Sequence, residues 1–218
     1  IHTPVKTLNT FQGYALESVP SNDIDFETTQ LYDLLKRLSN DGESFSYLKM
    51  FLASKLQRPY VKHPIALVWL NSAEGLGKGS FANFLQKIFC IGPNAVVSYN
   101  SIDRFKNSFN AIQSQSMFII LEEVSAKPGV ASLKQFSGFL KDKISSTTLL
   151  CEVKHQEPKI VDWYANLVIF SNEFSVISCS KRDRRLVLFT ADSSKANDTE
   201  YFKAIYRELE SIPIMKSA

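Results

Sequence analysis

The sequence predicts an α/β fold in which a mostly parallel sheet is flanked by helices and preceded by a small helical subdomain. Three observations carry that prediction. Short continuous apolar runs such as "IALVWL", "MFIIL" and "LVIF" read as strands buried on both faces, the habit of parallel sheets. Segments with apolar residues at helical spacing alternate with these runs, as layered α/β cores require. Of only eight glycines in the chain, three (Gly75, Gly77 and Gly79) crowd into five residues between such a strand and such a helix.

Residues 1 to about 25 are irregular, punctuated by Pro4, Gly13 and Pro20. From Phe26 the pattern turns helical, with Leu31, Leu34, Leu35 and Leu38 on one face, until "NDG" breaks it. A second helix carries Phe45, Leu48, Phe51, Leu52 and Leu56 and must end before Pro59. Residues 1–58 are therefore assigned to an irregular segment and helical subdomain, and residues 59–218 to the core. Strand "PIALVWLN" leads through the glycines into a helix whose Phe81, Phe84, Leu85, Ile88 and Phe89 recur at amphipathic spacing. "NAVVSYN" and "SMFIILEEV" give the next strands, "ASLKQFSGFLKDKI" a helix, and "TLLCEVKHQEPKIVDWY" a hairpin with Trp163 and Tyr164 in its core. "ANLVIFSN" and "RRLVLFT" are two more strands, and "DTEYFKAIYRELESI" is a closing helix.

The composition is that of an ordinary globular protein, and a net charge of +3 is too small to prove a nucleic-acid partner by itself. Cys90, Cys151 and Cys179 are scattered and odd in number, which argues for a reducing, cytoplasmic setting and against a zinc site or disulfide framework. No apolar run approaches the ~20 residues of a membrane span. The chain starts at Ile1, not at methionine, and reads as a piece of something longer.

"LNSAEGLGKGS" at residues 70–80 approaches the phosphate-loop pattern G-x-x-x-x-G-K-[ST] with two departures. Ser72 stands where the first glycine belongs and Gly79 where the magnesium-binding hydroxyl belongs. Glycines let successive backbone N–H groups face one anion, and the following helix N-terminus adds partial positive charge. The segment Ser72, Ala73, Glu74, Gly75, Leu76, Gly77, Lys78, Gly79 and Ser80 is thus the candidate cradle, with Lys78 reaching the β- and γ-phosphates. The magnesium ligand shifts to Ser80 or is replaced by water. A glycine-rich turn with a surface lysine is the plainer alternative.

Phosphoryl transfer also needs a carboxylate for the metal and another to orient water. "MFIILEEV" offers Glu122 for the metal and Glu123 as base, at a strand tip where such sheets bind ligands. Asn172 ends a further strand and offers a neutral amide to the γ-phosphate or the water, although asparagine also suits turns. "SKRDRRLVLF" packs four cations into five residues, either a solvated basic turn or the source of an arginine presented to a neighbouring subunit's nucleotide.

In this order the parts resemble superfamily 3 helicases, a compact viral and plasmid branch of the AAA+ ATPases. "LNTFQGYALE", "GKGS" and "RDRRL" look most like the helicase module attached to phage and large-virus primases and primase-polymerases. The resemblance spans roughly residues 60 to 190. It implies ATP with Mg2+, Lys78 on phosphate, Glu122 and Glu123 as the metal and water pair, and Asn172 as sensor. It places Arg185 at the finger position with Arg184 as fallback, and makes Lys154 and His155 of "VKHQEP" the strand contacts, with Lys159 adding charge. It further implies a homo-oligomeric ring, a hexamer by analogy, moving on single-stranded or forked DNA beside a covalently linked primase or polymerase. Two rivals come from other classes. One is an ATP- and DNA-binding ring that barely hydrolyses, favoured by the missing hydroxyl at Gly79. The other is a small-molecule phosphotransferase, disfavoured because "KRDRR" abuts a strand and leaves no room for a lid.

Overall fold

A computed structural model describes residues 13–18, 23–70, 73–107, 110–122, 130–172, 183–212, 215 and 218. Short 3₁₀ turns lie at Ala15–Ser18 and Phe26–Thr28, and helix α1 runs from Gln30 to Ser39. The sequence starts the helical pattern at Phe26. The structure splits it because Thr29 is extended (φ −87°, ψ 158°), its side-chain oxygen accepting the Tyr32 N–H to cap α1. "NDG" does more than break a helix. Asn40 takes the left-handed conformation (φ 61°) that closes α1, and the Asp41 carboxylate accepts the Ser44 N–H at 2.8 Å to open α2 (Gly42–Gln57).

Strand β1 (Ala66–Leu70) leads to α3 (Lys78–Ile88), β2 (Val96–Tyr99), the single-turn helices α4 (Ile102–Phe105) and α5 (Ala111–Ser114), and β3 (Phe118–Leu121). Helix α6 (Val130–Ser145) precedes a hairpin of β4 (Thr148–Cys151) and β5 (Lys159–Asp162), followed by β6 (Asn166–Ser171), β7 (Leu186–Phe189) and α7 (Thr199–Glu210). Five strands form one parallel sheet in the order β2-β3-β6-β1-β7, while β4 and β5 pair only with each other, antiparallel. The single turns α4 and α5 escaped the sequence reading because four residues are too few to show a helical period.

Alternation along the strands divides the core into two buried layers. Leu67, Trp69, Phe118, Ile120, Val168 and Phe170 face α1, α2, α3 and α7. Ala66, Val68, Ile119, Leu121, Leu167 and Ile169 face α6 and Trp163. Trp69 ties the sheet to the N-terminal helices, since its indole N–H donates to the Leu38 carbonyl at 2.8 Å and its ring stacks on Phe189.

Below the N-terminal ends of the strands lies a lysine cluster. Lys55 is fully buried and its ammonium donates to the carbonyls of Pro59, Val61 and Tyr164 at 3.2, 2.9 and 2.6 Å. The Lys62 ammonium donates to the Lys143 carbonyl at 2.7 Å and lies 3.6 Å from the centre of the Trp163 ring. Trp163 is buried and donates from its indole to the Gln113 carbonyl, as a hairpin-core residue should, whereas Tyr164 is exposed and donates to Asp162. These contacts fasten the end of α6, the foot of the hairpin and the approach to β1 to one another.

Burial, reinforced by Lys143 and Lys55 and only partly opposed by Asp142, lowers the Lys62 ammonium to about 7. A depressed lysine pKa means the unfolded chain binds more protons above pH 7, so the Lys62 contribution to stability rises with pH towards its ordinary value of 10.5. Lys62→Met removes this dependence. Its thermal stability relative to the parent chain is expected to be highest near pH 6.5, with the difference falling by up to about 1.4 kcal/mol per pH unit towards pH 9. Melting curves across that range check this; parallel pH profiles would exclude a depressed Lys62.

Candidate phosphate-binding site

The loop after β1 enters α3 with Gly75 and Gly77 both in left-handed backbone, at φ 70° and 92°. A side chain at Gly77 has no room, since its Cβ would lie 2.5 Å from Cδ1 of Leu34 on α1 and 2.9 Å from Cε1 of Phe202 on α7. Gly75 is equally confined, by the side chain of Asn197, whose own N–H donates to the Gly75 carbonyl at 3.2 Å. Gly79 differs. It lies within α3, and nothing stands within 4 Å of the position its Cβ would occupy.

A cavity of about 450 Å³ opens over this loop, lined by Glu74 to Ser80, Glu122, Phe170, Asn172, Phe202 and Tyr206. The topology explains the convergence. The loop follows β1, Glu122 follows β3 and Asn172 follows β6, and these three strands are consecutive in the sheet and run the same way. Their C-terminal ends therefore share one edge, where ligands bind in such sheets. The Lys78 ammonium donates to Oδ1 of Asn172 at 2.5 Å, joining the loop to the tip of β6. Ser80 is buried at 2 % exposure in the first turn of α3. Ser72 and Glu123 lie outside the described residues, as does the start of the basic run, Lys181 and Arg182.

Arg184 and Arg185 are brought to the other end of the sheet. The Arg185 carbonyl accepts the Ala66 N–H at 2.8 Å, at the start of β1, so a strand length of roughly 15 Å separates it from the loop. The Arg185 guanidinium donates to Ser145 at 3.1 Å and contacts Asp183, while Arg184 is exposed. Burial works to raise the Asp183 carboxyl, but the Arg185 N–H and the Lys141 ammonium outweigh it and hold it below the usual carboxylate range. Lys154 and His155 sit exposed at the tip of the β4–β5 hairpin, where His155 adopts positive φ (63°). Asn110 anchors the stem, donating to the Leu150 carbonyl and accepting the Glu152 N–H.

The donor set suits magnesium held mainly through phosphate. Among the described residues no cluster of three or more His, Cys, Asp or Glu side chains exists to form a protein cage. Two carboxylates, Glu74 of the loop and Glu122 at the tip of β3, line the cavity with the Ser80 hydroxyl, the sparse protein ligation that Mg2+ accepts. The sequence reading missed Phe202, Tyr206 and Asn197. The two aromatics stand at i and i+4 on α7, but that spacing reads equally as an amphipathic helix packing on the core.

Residues 70–185 match the family of unknown function DUF5906. The chain belongs to this family. The DUF5906 match encloses the candidate residues from Ser72 to Arg185 and excludes α1, α2 and α7. Among curated proteins none matches significantly. Among solved structures, the apo NrS-1 C-terminal region (305–718) superposes with a TM-score of 0.78 at 22% identity, covering 95% of this chain and 49% of that one. A second, A-form apo structure of that region gives 0.76 at 21% identity, covering 95% and 49%. JCV helicase, bound to a thiazolopyridine-containing acetamide, gives 0.52 at 15% identity, covering 89% and 54%. The DUF5906 chain thus has a helicase-like α/β fold and spans about half the length of these structures. Among the described residues no helix is long and apolar enough to cross a membrane.

The glycines separate by substitution. Gly77→Ala forces an L side chain into left-handed backbone against Leu34 and Phe202, and is expected to cost about 1–3 kcal/mol. Gly79→Ala meets open space inside a helix and is expected to leave stability unchanged or raise it by up to about 1 kcal/mol. Urea unfolding of the two variants checks the contrast; equal losses would mean the loop conformation is wrong.

Proposed function

We propose that this chain is the ATP-hydrolysing module of a nucleic-acid translocase or helicase of superfamily 3 type, acting on single-stranded DNA in replication. The observation that carries the proposal is the meeting of Lys78, Glu122 and Asn172 with a glycine loop in one cavity at the C-terminal edge of a parallel sheet. The likeness to NrS-1 and JCV helicase in fold supports it.

In this reading the loop N–H groups and the N-terminus of α3 hold the phosphates, and Lys78 moves from Asn172 to the γ-phosphate. Glu122 and Ser80 would hold Mg2+, which supplies neutralisation of the charge that develops on the phosphate oxygens. Glu123 orients the attacking water. Asn172, released from Lys78, donates its amide to the terminal phosphate without adding charge. Arg185 lies a strand length from its own subunit's loop, so it serves a neighbour's nucleotide. A head-to-foot ring follows, with a hexamer by analogy, and the hairpin tips carry Lys154 and His155 to the strand. Contacts of that kind are to backbone phosphate, salt-dependent and indifferent to base sequence. In the full-length protein a primase or polymerase domain lies alongside.

Turnover measured with and without single-stranded DNA is the test. Lys78→Ala, Glu122→Gln and Glu123→Gln are each expected to lower it at least about 100-fold. Arg185→Ala is expected to be equally inactive alone, yet mixing it with Lys78→Ala restores part of the activity, because each supplies what the other lacks. Lys154→Ala leaves DNA-free turnover intact and lowers the salt slope of DNA binding by about 1. Unchanged turnover in Lys78→Ala and Glu123→Gln would exclude the enzyme, and ATP binding without turnover would point to the non-hydrolysing ring.

A further inference from the structure

The cavity over the glycine loop has a second wall, which phosphate chemistry does not use. Phe202 and Tyr206 line it from α7, whereas Glu74, Lys78, Ser80, Glu122 and Asn172 all belong to the loop and strand tips. Phe202 touches the loop itself, its ring edge 2.9 Å from the position of a Cβ on Gly77. Tyr206 stands one turn further on, about 6 Å along the helix axis. It is 51 % exposed and belongs to neither buried core cluster. The aromatic face therefore begins at the phosphate cradle and leads away from it. A triphosphate anchored on Gly75–Lys78 has its nucleoside at one end, and that end needs an apolar wall with flat faces.

We propose that Phe202 and Tyr206 form a stacking subsite for the base of a nucleoside triphosphate, an assignment that rests on the phosphate-loop reading above. Aromatic rings recognise bases through π-faces, which every base possesses, so stacking discriminates by ring area more than by the base's hydrogen-bonding edge. Apart from the Tyr206 phenol, this wall carries no polar side chain to read that edge. Adenine and guanine are therefore accepted alike, and the smaller pyrimidines more weakly.

The probe that isolates the subsite is inorganic tripolyphosphate, which has the phosphates and no base. In the presence of Mg2+, the parent chain binds ATP and GTP within about 3-fold of each other and tripolyphosphate about 10-fold more weakly. Tyr206→Ala, a change at a half-exposed position, weakens ATP to near the tripolyphosphate value and leaves tripolyphosphate itself unchanged. Tyr206→Trp restores the difference. Parent-chain binding that is equal for ATP and tripolyphosphate, or a ratio that survives Tyr206→Ala, overturns the stacking subsite while leaving the phosphate loop standing. Failure to bind either compound overturns both.

Discussion

Gly77 is the point where the helices before and after the core close on the loop at the C-terminal edge of the sheet. Leu34 comes from α1 and Phe202 from α7, and both close on a residue that must be glycine for two independent reasons, its φ of 92° and the absence of space for Cβ. The shape of the loop is thus a tertiary property. Local sequence supplies glycines that permit the turn, but the helices before and after the core select the one conformation in which α3 starts at Lys78. Asn197 repeats the device at Gly75, binding its carbonyl from the segment that leads into α7. A loop held from both sides presents its N–H groups with little left to order when an anion arrives, which favours binding.

A parallel sheet also makes the two ends of the molecule chemically different. Every strand points the same way, so every strand-tip loop lies on one edge and every strand start on the other. The tips carry the glycine loop, Glu122 and Asn172. The starts carry Lys62, Lys143, Arg184 and Arg185, and two of them bind the C-terminal end of α6: Lys62 donates to the carbonyl of Lys143, and Arg185 donates to the hydroxyl of Ser145 two residues on. Under the proposed function, Arg185 of one copy therefore cannot reach that copy's own phosphate site. Two copies placed head to foot can bring the two together, and heterologous contacts of that kind close into rings when the rotation allows.

This polarity explains which parts of the molecule were legible in sequence. The central strands β3, β6 and β1 were visible because burial on both faces demands unbroken apolar runs, the half-exposed edge strands β2 and β7 because they still carry short apolar segments, and the helices α1, α2 and α3 because their buried faces keep a 3.6-residue period. Glu122 and Asn172 could be read because a residue after an apolar strand in an α/β chain sits on the ligand edge whatever its identity. Strand order was not legible. Nothing in "RRLVLF" says that it pairs with β1 and not with its sequence predecessor β6, and on that pairing depends the position of Arg185 beside Ala66. The aromatic wall was hidden for another reason: Tyr201, Ile205 and Leu209 give α7 its buried stripe, and Phe202 and Tyr206 look like its flank until the loop is seen to lie beneath them.

Strand β6 runs without interruption from the foot of the hairpin to the glycine-loop cavity. It is buried along its whole length, from Asn166 to Ser171, and is held between β3 and β1 by continuous parallel pairing. At its far end Asn172 grips Lys78; at its near end Trp163 and Asn166 fix the foot of the hairpin, the Asn166 amide donating to the carbonyls of His63 and Ile65. A rod of this kind transmits a displacement but has no preference between positions, so the bistable element must lie at one of its ends. The Lys78–Asn172 contact fits that role. An aspartate at 172 would hold the ammonium as an ion pair and resist its transfer to phosphate, whereas an amide oxygen releases it at the cost of one charge-assisted hydrogen bond, roughly 1.5–3 kcal/mol. Under the proposed function, loss of the γ-phosphate would restore that bond, so the amide at the tip of β6 would alternate between two partners in each turnover while the strand beneath it stays intact.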